Sequence, residues 1–337
     1  YVKSAYNLYS ILLESDYEIL EGKKLIVVPD DKLSYIPFDA MLTAESDTSR
    51  LNFRKLPYLV KEYPISYTYS ATLLFDYFEN EKEAQKDLLA FAPIYTGADI
   101  LNAGQDTLRS GLLPIPAVDQ EVESISNYVS TDKYMDSLAQ EKTFKKLAPH
   151  YDILHLAMHT IINDTLPMFS KLAFSSPNSG DSEDGWLNTN EIYTMDLKAR
   201  MAVLSACNTG SGKLQKGEGV MSLARGFLYA GCPSIVMTLW EVEDESGVNI
   251  MSDFYRLLSK GKSKNEALRL AKLGHIENAD PLKAHPHYWL GYVAVGNPDP
   301  LYFSKDIYFI LVVFGLVILV LIDQVYRKKR ARKKLIS

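Results

Sequence analysis

The sequence predicts an α/β fold built on a largely parallel β-sheet with helices on both faces, and two observations carry that expectation. Short apolar runs recur at residues 24–29 (KLIVVP), 88–92 (LLAFA), 153–158 (ILHLAM), 201–206 (MAVLSA) and 234–239 (SIVMTL). They are too short for buried helices, and they are continuous rather than alternating, as strands buried on both faces are. Helical patterns stand between or after them at residues 121–128, 219–229 and 248–258. Strands alternating with helices place the crossovers on the sheet faces and leave the sheet parallel.

Taken in order, residues 1–20 read as a helix with Leu8, Ile11, Leu12 and Ile19 on one face. The first strand, 24–29, is closed by Pro29, Asp30 and Asp31, a turn signal. Residues 175–184 (SSPNSGDSED) are polar and rich in turn formers, so they form a loop inside the domain. No internal repeat is visible. One domain over residues 1–303 accounts for the pattern.

Composition narrows the function classes. Hydrophobic residues make up 47% and charged residues 23% of 337, ordinary values for a chain with a packed core. The net charge of −6 divides into +7 on residues 327–337 and −13 on residues 1–326. An acidic body argues against nucleic-acid binding, which needs a basic surface. Cys207 and Cys232 are the two cysteines. They cannot build a disulfide scaffold, although a single bridge between them stays open, and no cluster has metal-ligand spacing. The chain starts at Tyr1 rather than Met, so it reads as a piece of a longer protein whose export signal or partner domain would lie upstream.

Residues 307–322 (IYFILVVFGLVILVLI) are sixteen apolar positions without a charge. As a helix they span ~24 Å against ~30 Å of hydrocarbon, and flanking charged side chains can snorkel to extend the span. A transmembrane helix over 304–326 is expected, followed by a basic cytoplasmic tail at 327–337. The body would then lie on the opposite, periplasmic or extracytoplasmic side, with a tail-anchored cytoplasmic body as the alternative.

Chemistry in such sheets gathers at the carboxyl ends of strands. His159 stands where one apolar strand runs out and Cys207 where another does. An imidazole beside a thiol can take its proton and leave a nucleophilic thiolate. Backbone N–H groups around Cys207, in the Gly-rich turn 208–212, could then stabilise an oxyanion. His155, four residues before His159 on the same strand face, reads as buried or supporting, and Cys232, between Gly231 and Pro233, as a packed thiol.

Several motifs in register point further. VVPD at 27–30 and IPFD at 36–39 are followed by LPIPA at 113–117 with Glu121 and Val122. ILHLAMH at 153–159, DGWL at 184–187 and LSACNTG at 204–210 come next. GEG at 217–219, ARGFL at 224–228, LWEVED at 239–244 and Tyr288-Trp289 complete the series. This order resembles the CHAT domain, a caspase- and separase-like peptidase family often attached to tetratricopeptide repeats.

The resemblance implies a caspase-like three-layer αβα sandwich and a thiol protease with His159 as base and Cys207 as nucleophile. It also implies a protein or peptide substrate, a tetratricopeptide-type regulatory region upstream, and no metal or organic cofactor. The oxyanion donors would be the backbone N–H groups of Thr160 and Cys207. The family places Gly after the histidine, and Thr160 departs from that, since a β-branched residue disfavours φ > 0. The segment after the strand beyond the nucleophile lines the cleft in caspase-like enzymes. Here it offers Trp240 as an apolar wall and Asp244 as an acceptor for a basic P1 side chain, with an alternative in which Asp244 caps the next helix.

Other motifs fail on spacing. GSGK at 210–213 would need Gly at Cys207 and Ser or Thr at Leu214, and GKS at 261–263 would need Gly at Arg256. His285 and His287 have no third ligand near them in sequence. A different class of function stays in view, a catalytically silent CHAT-fold scaffold or signalling module that acts by binding partners.

Overall fold

The computed structural model describes residues 1–49, 51–79, 84–95, 109–163, 165–178, 180–205 and 218–302. Cys207, the turn 208–212, the apolar segment 304–326 and the tail 327–337 lie outside them. Among the described residues no helix is long and apolar enough to cross a membrane. The expected membrane topology, with the body held on either side of a bilayer, is corrected accordingly.

Eleven strands are described. They are β1 (Leu25–Val27), β2 (Ile65–Tyr67), β3 (Lys86–Ala92), β4 (Thr131–Met135), β5 (Tyr151–Leu156), β6 (Thr160–Ile161), β7 (Lys171–Ala173), β8 (Trp186–Asn188), β9 (Met201–Leu204), β10 (Ser234–Thr238) and β11 (Tyr292–Gly296). Eight of them form one sheet in the order β1-β2-β11-β10-β9-β5-β3-β4, and β6-β7-β8 form a small antiparallel sheet. Every pairing in the large sheet is parallel except β10 with β11. The five apolar runs of the sequence are β1, β3, β5, β9 and β10. β4 (TDKYM) carries no apolar run because it is an edge strand with charged side chains, a pattern that protects an edge and erases the apolar signal.

Helices cover both faces. Phe144 of α4 (Glu141–Leu147) and Leu223 and Phe227 of α5 (Glu218–Tyr229) pack on Leu89, Phe91, Leu154, Leu156 and Leu204. Val122 and Ile125 of α3 (Val118–Ser126), Ile250 and Phe254 of α6 (Asp244–Leu258) and Leu268 of α7 (Lys264–Asn278) pack on Leu88, Ala90, Ile153 and Val203. Odd and even positions of one strand thus feed opposite layers, as the period of a strand requires. Two longer helices besides these are α1 (Val2–Leu12) and α2 (Ala71–Glu79), and single-turn helices stand at Tyr17–Leu20, Leu59–Glu62 and Thr189–Ile192.

The amino-terminal expectation is also corrected. The helix ends at Leu12, and its buried stripe is Val2, Ala5 and Tyr9, while Ile11 and Ile19 are 78% and 71% exposed. Spacing of i, i+3 and i+7 fixes one face of a helix. The stripe that faces the core is therefore the less hydrophobic one, carried by the Tyr9 ring.

Candidate active site

The small sheet grows directly out of β5. After Leu156 the chain passes through buried Ala157 and Met158 to His159, and then Thr160 of β6 pairs with Leu172 of β7. His159 is held on three sides. Its N–H donates to Tyr95 Oη at 3.1 Å, its carbonyl accepts from Ala173 N at 3.0 Å, and the Tyr95 ring lies 4.5 Å from the imidazole. Tyr95 in turn donates to the Ala173 carbonyl at 2.5 Å, which ties the histidine turn to β7.

The imidazole itself has one committed nitrogen. Nε2 lies 2.5 Å from the Leu113 carbonyl oxygen. A carbonyl only accepts, so the Nε2 proton stays there and Nδ1 carries the lone pair. Nδ1 is buried and has no partner among the described residues. Burial lowers the His159 pKa, against the smaller opposing effects of the Leu113 bond and Glu241. The ring is therefore neutral at neutral pH, with a basic nitrogen ready for a thiol proton.

β9 is the neighbour of β5, with Ile153 paired to Met201 and Leu156 to Leu204. It ends at Leu204, and the N–H of the next residue, Ser205, donates to the Leu156 carbonyl at 3.1 Å. Cys207 lies outside the described residues, so its distance to His159 is not part of this geometry.

A narrow cavity of about 50 Å³ opens beside His159. Its charged lining is Glu121, Glu241 and Asp244, with Ser205 and Val242 between them. Asp244 is the first residue of α6, and burial followed by Glu241, Glu243 and Glu121 raises its pKa. The helix cap is Glu243, which accepts from Ser246 N at 3.0 Å. Asp244 is thereby left to the cavity rather than to the helix end.

Trp240 does not line this cavity among the described residues. Its Nε1 donates to the His287 carbonyl at 3.0 Å and its ring stacks on His287, beside Gly291. Thr160 is buried in β6 and is not among the residues with positive φ. The extended backbone suits a β-branched side chain.

Leu113 and Glu121 enter the sequence analysis only as motif positions of the family resemblance, without a site role, and Tyr95 does not enter it. A backbone acceptor such as the Leu113 carbonyl has no sequence signature. Glu121 had one: it stands on the apolar face of α3, among Val118, Val122 and Ile125, where a carboxylate needs a partner. His155 is that neighbour. It is fully buried, with Nδ1 3.1 Å from Tyr255 Oη and Nε2 3.0 Å from Glu121 Oε1.

Cys232 is a free, buried thiol whose pKa burial pushes up to about 12, so it is inert. His285 Nδ1 accepts from His287 N in a tight turn. The carboxylates of Glu141, Glu183 and Glu191 converge closely enough for a cation. That centre is filled by the Lys145 ammonium, 2.6, 2.5 and 2.7 Å from them.

Residues 2–297 match the family described as the CHAT domain. The chain belongs to that family. This CHAT domain is 22% identical over 324 residues to human tetratricopeptide repeat protein 28, covering 85% of the chain and 12% of that protein. The mouse protein of the same name is 21% identical, over 61% of the chain and 10% of its own length. The chain thus spans about an eighth or less of the curated relatives it matches.

Among solved structures, the CHAT domain is similar to the Saccharomyces cerevisiae separase–securin complex, with a TM-score of 0.50 at 13% identity. The match covers 82% of this chain and 15% of that one. A complex of the Porphyromonas gingivalis RgpB pro- and mature domains gives a TM-score of 0.50 at 12% identity, over 88% and 69%. At these identities the likeness concerns the fold, a caspase-like peptidase fold.

Proposed function

We propose that this CHAT domain is a caspase-like cysteine endopeptidase, with His159 as general base and Cys207 as nucleophile. One observation carries the reading. Leu156 and Leu204 are register partners in adjacent parallel strands, and each stands three residues ahead of a member of the dyad in sequence. The His159 imidazole adds the matching chemistry, with Nε2 committed to Leu113 and Nδ1 unpartnered and neutral.

In this reading Nδ1 takes the Cys207 thiol proton, the thiolate attacks the scissile carbonyl, and the imidazolium returns the proton to the leaving amine. The backbone N–H groups of Cys207 and Thr160 are the proposed oxyanion donors. Asp244 is the proposed acceptor for a basic P1 side chain. Val242 forms an apolar wall, and Trp240 stands one step behind it. The protein or peptide substrate is extended into the cavity, and an upstream tetratricopeptide-type region, of the kind named in the relatives, is the proposed regulator.

A second reading, a partner-binding scaffold without catalysis, draws on Thr160 in the place of the family glycine. The name of the relatives, which speaks of repeats alone, points the same way. The test compares wild type with Cys207→Ala and His159→Ala in the full-length protein. Labelling by an electrophilic peptide probe and cleavage of a diverse peptide library are the two readouts. Labelling and cleavage by wild type, lost in both folded variants, support the peptidase. Wild type that neither labels nor cleaves, with its upstream region and candidate activators present, favours the scaffold.

A further inference from the structure

We infer that Glu121 is the specificity-determining carboxylate of the site, selecting a substrate side chain that ends in a guanidinium or an ammonium. This rests on the peptidase reading and extends it from Asp244, which stands at the exposed mouth of the cavity, to its floor.

Glu121 is only 7% exposed, yet it borders the cavity next to His159. Its Oε1 accepts from Ser205 Oγ and lies 3.0 Å from His155 Nε2. His155 is itself braced by Tyr255 Oη. The carboxylate is thereby hydrogen-bonded by Ser205, just after β9, and abutted by His155 of β5, which α6 braces through Tyr255. No hydrogen bond engages Oε2 among the described residues. A carboxylate carries about four acceptor sites, so this one retains unused capacity toward the cavity.

The charge balance fixes the ligand class. Glu121, Glu241 and Asp244 line the cavity with no Lys or Arg among the described lining residues, and neutral His159 supplies no countercharge. Three carboxylates therefore face one imidazole, His155, whose Nε2 lies 3.0 Å from Glu121 Oε1, and a cation entering the pocket offsets the repulsion among them. The cavity is narrow, with Ile115 and Val242 on its walls. It suits the slender apolar stem of Arg or Lys with the charged end on Glu121. An acidic side chain would meet three carboxylates.

The anchoring also links recognition to chemistry. Ser205, which fixes Glu121, is two residues ahead of Cys207 in sequence, and His155 is on the strand that presents His159. A cation seated on Glu121 thus bears on both strand ends that carry the proposed dyad.

The experiment uses the full-length protein as wild type, Glu121→Gln and Asp244→Asn. Four peptides differing only at P1 (Arg, Lys, Leu and Asp) are assayed for kcat/KM. Binding of benzamidine, a guanidinium-like probe, is followed in parallel by calorimetry. Gln keeps the shape and an acceptor for Ser205, so a folded variant is expected, checked by thermal melting.

The expected result is a fall of about 10²-fold in the Arg-to-Leu ratio of kcat/KM for Glu121→Gln, the scale of a lost buried charge partner. Asp244→Asn should lower that ratio less, because it is more exposed. Benzamidine should bind wild type and not Glu121→Gln. A wild type that cleaves but prefers Leu or Asp, or a Glu121→Gln variant whose Arg-to-Leu ratio is unchanged, overturns the assignment and leaves the peptidase reading standing. If wild type and Cys207→Ala are equally silent on every peptide, the peptidase reading falls. Glu121 as a cation site is then upheld by benzamidine binding that the variant loses, and overturned by its absence.

Discussion

Lys145→Met should destabilise the fold in a pH-dependent way, because one ammonium holds three carboxylates together. Lys145 Nζ lies within 2.7 Å of Glu141, Glu183 and Glu191 oxygens. Only Glu141 is deeply buried, at 1% side-chain exposure, and it also accepts from Gly185 N at 2.8 Å. Burial raises the Glu141 carboxyl to about 7, against the opposing pull of Lys145. A raised carboxyl contributes stability that is complete below its unfolded value of ~4.3 and is lost as pH rises through about 7. Burial alone would lower the Lys145 pKa, but its three carboxylate bonds outweigh that and raise it. Its contribution therefore persists across the neutral range and is lost only above the ordinary lysine range.

Without Lys145, Glu141 loses the partner that lowered its pKa and stays protonated to higher pH. At pH 5 the variant pays little, about 1 kcal/mol or less, the range of a solvent-screened pair. At pH 8 it must ionise beside two carboxylates or hold a proton far from its unfolded value. The loss there should be about 3 kcal/mol, the low end for breaking a buried pair because Lys145 is a quarter exposed. Urea denaturation of wild type and variant at pH 5, 7 and 8, with unchanged slopes, measures it. A loss that is the same at pH 5 and pH 8 would falsify the reasoning, and so would one well under 1 kcal/mol at pH 8.

Two further outcomes follow from single positions. In a Cys207→Ala background, a thiol reagent should leave native Cys232 untouched and react with it only after unfolding, as its burial and raised pKa require. Rapid labelling of the native variant would refute that packing. Gly291→Ala should lower kcat/KM more than stability. An added Cβ would stand 2.8 Å from Val242 Cγ2 and 3.3 Å from Trp240 Nε1, so the wall of the cavity must shift. Overpacking of this kind costs about 1–3 kcal/mol, and tryptophan fluorescence with steady-state kinetics separates the two effects.

The sequence by itself determined the central strands of the domain. Short continuous apolar runs read as strands buried on both faces, and the helical patterns between them leave β1, β3, β5, β9 and β10 parallel, while β2, β4, β11 and the small antiparallel sheet are not among those runs. It also placed His159 at a strand exit, marked Cys232 as a packed thiol, and carried the family through motifs spread along the chain. Runs of local polarity are legible because each residue reports its own burial preference.

Tertiary structure alone decided what crosses between elements. The Leu113 carbonyl that fixes the His159 tautomer is a backbone group, invisible to residue type. The pairing of β5 with β9, rather than with any other apolar run, depends on the whole sheet closing around one core. Glu121, His155, Ser205 and Tyr255 come from four separate elements, and only folding turns a misplaced charge on an apolar helix face into the floor of a cavity. The α1 stripe shows the same limit, since Tyr9 rather than Ile11 faces inward. Burial there is set by which helix face meets the sheet, a constraint that acts on the helix as a whole and not on its most hydrophobic residues.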